Sequence, residues 1–125
     1  MLADGTYKVF REAQDGARWE GVAEVKVGRV VDRGAWVMAD GKRMEGMQEM
    51  LWAGDLLTVA QPHASHVYML LEVEDGFVGQ YDCGDDVYFV WSEVPQETGW
   101  KMRFEVAGPN KDGWQDVRYE RQLGQ

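Results

Sequence analysis

The sequence predicts an all-β domain, an antiparallel meander that closes into a lipocalin-like (calycin) barrel. Hydrophobicity alternates with period two along most of its 125 residues, which places every second side chain on one face of a pleated strand. Asp-Gly pairs interrupt the alternation, supplying the positive backbone angles that tight turns need. So many short consecutive strands would leave two bare edges unless the sheet curled shut, and about eight strands already enclose a cavity of small-ligand size. With 45% hydrophobic residues and only 3 Pro, the chain closes around one core, so a single domain is expected over residues 1–125.

Strands are expected at about 5–11, 18–28, 29–38, 43–50, 55–61, 67–74, 77–82, 87–92, 100–107 and 114–121. From Trp19 the residues Gly21, Ala23, Val25 and Val27 share one face, while Glu20, Glu24 and Lys26 share the other with Val22. Val67, Met69, Leu71 and Val73 alternate with Tyr68, Leu70, Glu72 and Glu74, and Val87, Phe89 and Trp91 with Tyr88, Val90 and Ser92. The alternation is cleanest where Trp100, Met102, Phe104 and Val106 oppose Lys101, Arg103 and Glu105. Asp15-Gly16, Asp40-Gly41, Asp75-Gly76 and Asp112-Gly113 mark turns, and Asp82-Cys83-Gly84-Asp85-Asp86 marks another. Between Lys42 and Ala53 the pattern is ambiguous. Met44, Met47, Met50 and Leu51 recur at helical spacing, with Asp40 as a cap and Gly54 as a stop, so a short helix near 42–52 competes with a strand. Gly46 in its interior would cost that helix about 1 kcal/mol relative to Ala.

Thirteen Lys and Arg against 22 Asp and Glu give a net charge of −9, which opposes binding modes driven by phosphate neutralisation. Nucleic acid and anionic membrane are therefore not expected partners. No apolar run is long enough to span a bilayer, the opening residues lack a basic-then-apolar leader, and the single Cys83 has no internal partner, so a cytoplasmic location is expected.

No catalytic or cofactor motif stands out. His63 and His66, three apart beside Pro62, read as a solvated turn and not as half of a metal site. The acidic neighbours of Cys83 would raise its thiol pKa and oppose nucleophilic chemistry. No glycine-rich phosphate loop precedes a helix. More information lies in the six Trp and seven Met. Trp19, Met69, Phe89, Trp91, Trp100, Met102 and Phe104 are expected either to fill the barrel or to line a ligand cavity within it. Trp36 and Trp52, beside turns, are candidate exposed contact residues. Glu74 with Asp75 at one hairpin, and Asp85 with Asp86 at another, would attract a basic segment of a protein partner.

Asp4-Gly5-Thr6-Tyr7, Trp19-Glu20-Gly21-Val22, Val25-Lys26-Val27-Gly28-Arg29-Val30, Met44-Glu45-Gly46 and Gly54-Asp55-Leu56-Leu57-Thr58-Val59 follow one another in the first half of the chain. In this order they resemble the GrlR-like family of small lipocalin-type barrels, named for a negative regulator of type III secretion. The resemblance implies a barrel, commonly dimeric, that sequesters a transcriptional activator through protein contacts. The functional expectation is accordingly a non-enzymatic binding or regulatory protein without cofactor, with a carrier of a small apolar ligand as the rival. A homodimer is expected as well.

Overall fold

The computed structural model describes residues 2–53, 56–60, 67–73, 76–83, 86–93, 96–107 and 113–122, and only their main chain over 53–60, 67–73, 76–83, 86–91 and 106–107. Its strands are β1 (Gly5–Ala13), β2 (Arg18–Lys26), β3 (Arg29–Val37), β4 (Arg43–Ala53), β5 (Leu56–Ala60), β6 (Val67–Val73), β7 (Gly76–Cys83), β8 (Asp86–Ser92), β9 (Gly99–Ala107) and β10 (Trp114–Arg121). Each pairs antiparallel with the next, and β1 pairs with β10, so the meander closes into a barrel. Closure leaves neither the first nor the last strand with a free edge: Val9 stands between Gly21 of β2 and Tyr119 of β10. No helix among the described residues is long and apolar enough to cross a membrane.

The alternation sets the inner wall. Tyr7, Val9 and Arg11 of β1 are buried, as are Trp19, Ala23 and Val25 of β2, Trp100, Met102 and Phe104 of β9, and Val117 and Tyr119 of β10. Edge-to-face and tilted contacts tie the aromatic residues together, with ring centroids 5.0 Å apart for Trp52 and Trp100, 5.4 Å for Trp100 and Tyr119, and 6.4 Å for Tyr7 and Tyr119. Where β1 begins, the N-terminal residues fold in against this group. Leu2 is buried in the core, the Tyr7 hydroxyl donates to the Ala3 carbonyl at 2.6 Å, and the Asp4 carboxylate accepts the Val27 N–H at 2.8 Å.

One open alternative is settled and three expectations are corrected. The segment with methionines at helical spacing is β4, a strand throughout: Val30 pairs with Met50, Asp32 with Gln48 and Gly34 with Gly46. A helix there would have left one edge of β3 and one edge of β5 without a partner, and the strand buries Gln48, Met50 and Trp52 on one face while Met44 and Leu51 stay exposed. Trp52 is accordingly a core residue, 4% exposed, and not a surface contact. Trp36 is half-buried, its ring packed edge-on against Trp19 at 5.7 Å. Val27, in phase with the inner face of β2, is 75% exposed because the chain turns there, with φ of 49° at Val27 and 80° at Gly28.

The inner faces of β2, β3 and β4 carry a row of glycines, Gly21 opposite Gly34 and Gly34 opposite Gly46. A Cβ on Gly34 would run into the Glu20 carbonyl oxygen and the Gly21 Cα, main-chain atoms that cannot swing aside. The absent side chain lets β2 and β3 approach at this corner of the barrel. Gly34→Ala is expected to destabilise the fold by about 1–3 kcal/mol, the usual range for overpacking, seen as a lower urea midpoint at unchanged slope.

A candidate binding site inside the barrel

The strands that bury the aromatic residues also bury charge. Arg11 (5% exposed), Asp32 (1%) and Gln48 (6%) lie on β1, β3 and β4 at positions in phase with apolar neighbours: Val9, Val30 and Met50. Cross-strand pairing brings Asp32 beside Gln48, and Arg11 reaches both across the interior. One guanidinium nitrogen donates to an Asp32 carboxylate oxygen at 3.3 Å and to the Gln48 side-chain oxygen, and the other donates to Gln115 at 3.2 Å. The Trp19 indole N–H donates to the second Asp32 oxygen at 3.3 Å, and the Arg11 guanidinium lies 5.9 Å from the Trp19 ring centroid. A Cβ at Gly21 would stand 2.5 Å from that carboxylate oxygen and 2.7 Å from the indole nitrogen, so a glycine here leaves the room in which they meet.

Burial raises the Asp32 pKa above the ordinary carboxylate value, and the charge and hydrogen bond of Arg11, with the Trp19 hydrogen bond, draw it only part of the way back. Tyr119 sits next along the same wall, its Cα partner Val9 two residues from Arg11. Its hydroxyl is buried with no acceptor for its O–H among the described residues, and Arg11 is near enough to donate toward its oxygen. Desolvation raises its pKa, against a smaller lowering by Arg11, so it keeps its proton and remains a donor at neutral pH. The group is therefore a fixed, charge-balanced set of donors and acceptors within the wall. Among the described residues no set of His, Cys, Asp and Glu is placed to hold a metal ion.

A concavity lies on the outer surface. A groove of about 730 Å³ crosses β2, β1, β10 and β9 and is bounded by Ser92 and Glu93. Its outward side chains are ordered among themselves. Arg103 makes a two-pronged pair with Asp116 at 2.7 and 3.2 Å and covers the Trp114 ring at 4.7 Å. Arg118 covers Phe10 at 4.7 Å and meets Glu120 at 2.8 Å.

The predicted site residues divide. Trp19, Trp100, Met102 and Phe104 are brought together inside the barrel. Met69, Phe89 and Trp91 lie on described strands, where the main-chain register sets them opposite Thr58, Glu105 and Arg103, but their side chains are outside the described residues. Glu74, Asp75, Asp85, His63 and His66 lie outside the described residues, and of Asp86 and Cys83 only the main chain is described. The interior polar residues Arg11, Asp32 and Gln48 were not among the candidates. Their signal was a polar side chain at an inward position of an alternating strand.

Removing one member of the ion pair leaves its partner charged and buried. Arg11→Leu is expected to cost about 3–5 kcal/mol, whereas the double variant Arg11→Leu/Asp32→Leu recovers most of the loss in urea unfolding. Asp32 also gives a pH dependence of defined sign. Because its pKa is higher folded than unfolded, its contribution to stability is greatest below the ordinary carboxylate pKa and is lost as pH rises through the raised value. The stability of the natural chain relative to Asp32→Asn should therefore fall across that window, measured as the difference in urea midpoints.

Comparison with solved structures supports the barrel. A de novo designed fluorescence-activating β-barrel is 13% identical, with 97% of this chain and 94% of that one covered at a TM-score of 0.51. A redesigned β-barrel, mFAP1, bound to DFHBI is 12% identical over 95% and 94% of the two chains, at a TM-score of 0.45. At such identity the likeness to the first of these, at a TM-score of 0.51, shows the fold alone. No curated protein matches. A family model described as a family of unknown function, DUF6314, matches residues 3–121, and the chain belongs to that family.

Proposed function

We propose that this chain is a non-enzymatic binding protein that holds a small molecule within its barrel, as a carrier or a sensor. The observation that carries this reading is the buried polar group on the inner wall, where the Arg11, Asp32 and Gln48 set lies beside the Tyr119 hydroxyl. Ligand cavities combine mostly apolar and aromatic walls with a few placed polar groups, which is the composition of the described wall. A ten-stranded closed barrel also has a wider lumen than one of about eight strands, which already holds one small ligand.

A regulator acting through protein contacts, as the GrlR-like resemblance implies, is the second reading. The outer groove favours it, because its exposed arginines and carboxylates are already held in place by their neighbours and offer a pre-ordered polar surface. A symmetric second copy is one such partner.

Titration with acetylcyclohexane, which is transparent where tryptophan absorbs, separates the two readings. Binding in the barrel is expected to change tryptophan emission saturably with one molecule per chain, through Trp19 and Trp100. A flat titration, together with monomer-to-dimer exchange in light scattering that Arg118→Glu abolishes, would instead favour the outer surface.

A further inference from the structure

We infer that the outer groove over the seam of β1 and β10 is itself a ligand site, which takes a small aromatic acid of single negative charge and holds its carboxylate between Lys101 and Arg118. The site lies outside the barrel and does not rest on interior binding.

The groove supplies both a space and an unengaged charge. Its volume of about 730 Å³ is in the range of sites that hold drug-sized molecules. Lys101 and Arg118 both line it and are direct cross-strand partners. Like charges so placed repel, and Arg103 adds a third cation two residues along the same face of β9. Asp116 holds Arg103 and Glu120 holds Arg118, whereas the exposed Lys101 has no ion-pair partner among the described residues. The Glu93 N–H bonds the Lys101 carbonyl, but the two side chains form no ion pair. An anion seated between Lys101 and Arg118 would give the lysine a partner and relieve the repulsion.

The rest of the lining sets the charge and shape of the ligand. Besides the inward Arg11, it carries four cations and four carboxylates, so the groove is neutral on a chain of net charge −9. One carboxylate can settle on the local cations there. A dianion would also face the carboxylates around them and the field of the whole chain. The body is chosen by the arginines. The Arg118 guanidinium lies 4.7 Å from the Phe10 ring centroid, and that of Arg103 lies 4.7 Å from the Trp114 ring centroid. A planar ring laid on such a guanidinium extends the stack, which an aliphatic body does not.

Calorimetry on the intact chain at neutral pH and low salt tests this with naphthoate, the uncharged naphthamide of the same shape, cyclohexanecarboxylate, and naphthyl phosphate, which carries about two negative charges. Naphthoate is expected to bind about five-fold more tightly than naphthamide, an advantage that added salt removes. It should exceed cyclohexanecarboxylate about three-fold, and naphthyl phosphate should bind no more tightly than naphthoate. In Lys101→Gln, an exposed change that leaves the core intact, naphthoate should fall about five-fold to the level of naphthamide, which itself should be unchanged. Equal binding of naphthoate and naphthamide, or naphthoate binding unaltered by Lys101→Gln, would overturn the seat beside Lys101. Tighter binding by the phosphate would overturn the single charge, and equal binding by cyclohexanecarboxylate the aromatic body. Absence of naphthoate binding would overturn the site as a whole, and saturable binding of acetylcyclohexane alongside that absence would leave the interior reading standing.

Discussion

The structure depends on the pairing of its first strand with its last. β1 and β10 are joined over seven residue pairs, from Tyr7 with Arg121 to Ala13 with Gln115, although more than a hundred residues separate them in the chain. Without that seam the meander would be an open ribbon with two unpaired edges, and neither a closed interior nor a polar group within it would exist. The seam also assembles the site. Arg11 comes from β1, Gln115 and Tyr119 from β10, while Asp32 and Gln48 arrive from β3 and β4 on the other side of β2. Contacts of such sequence separation carry a large loop-closure cost, which the interior network shares with the seam.

Arg11 and Asp32 would be costly to desolvate singly, and the raised Asp32 pKa shows that their attraction only partly offsets burial. Their worth to the fold is geometric. A carboxylate that accepts from both a guanidinium and an indole fixes the relative positions of β1, β2 and β3 more narrowly than three apolar contacts would, because hydrogen bonds are directional and their loss leaves buried polar atoms unsatisfied. The same arrangement prevents Arg11 from acting as a free cation within the interior.

Most of the fold was legible in the sequence because period-two alternation and Asp-Gly turns are local signals. All ten strands stand where the alternation places them, to within a few residues. The segment around Met44 to Leu51 was ambiguous for a definite reason. Four apolar residues spaced by three and four fit a helix, but two of them, Met44 and Leu51, are exposed in the folded chain, and pairing with β3 decides the matter. The burial of Trp52 followed from that same decision, since as a strand residue it shares parity with Met50. Trp19, Trp100, Met102 and Phe104 were legible as interior because their strands alternate cleanly. Closure also turns Arg11, Asp32 and Gln48 inward, and no local pattern announces which polar residues will find one another across the interior.

The glycines connect wall and site. Gly34 lets β2 and β3 approach so closely that a methyl group would meet main chain, and Gly21, beside it in register, leaves space that the Asp32 carboxylate and Trp19 indole occupy. Bending the sheet and accommodating a buried anion are thus served by adjacent positions of one row. An alanine at Gly21 would push on the acceptor that orients Arg11, and through Arg11 on Gln48 and Gln115. The curvature that closes the barrel and the placement of its interior polar atoms are therefore one constraint, set where the two strands come nearest.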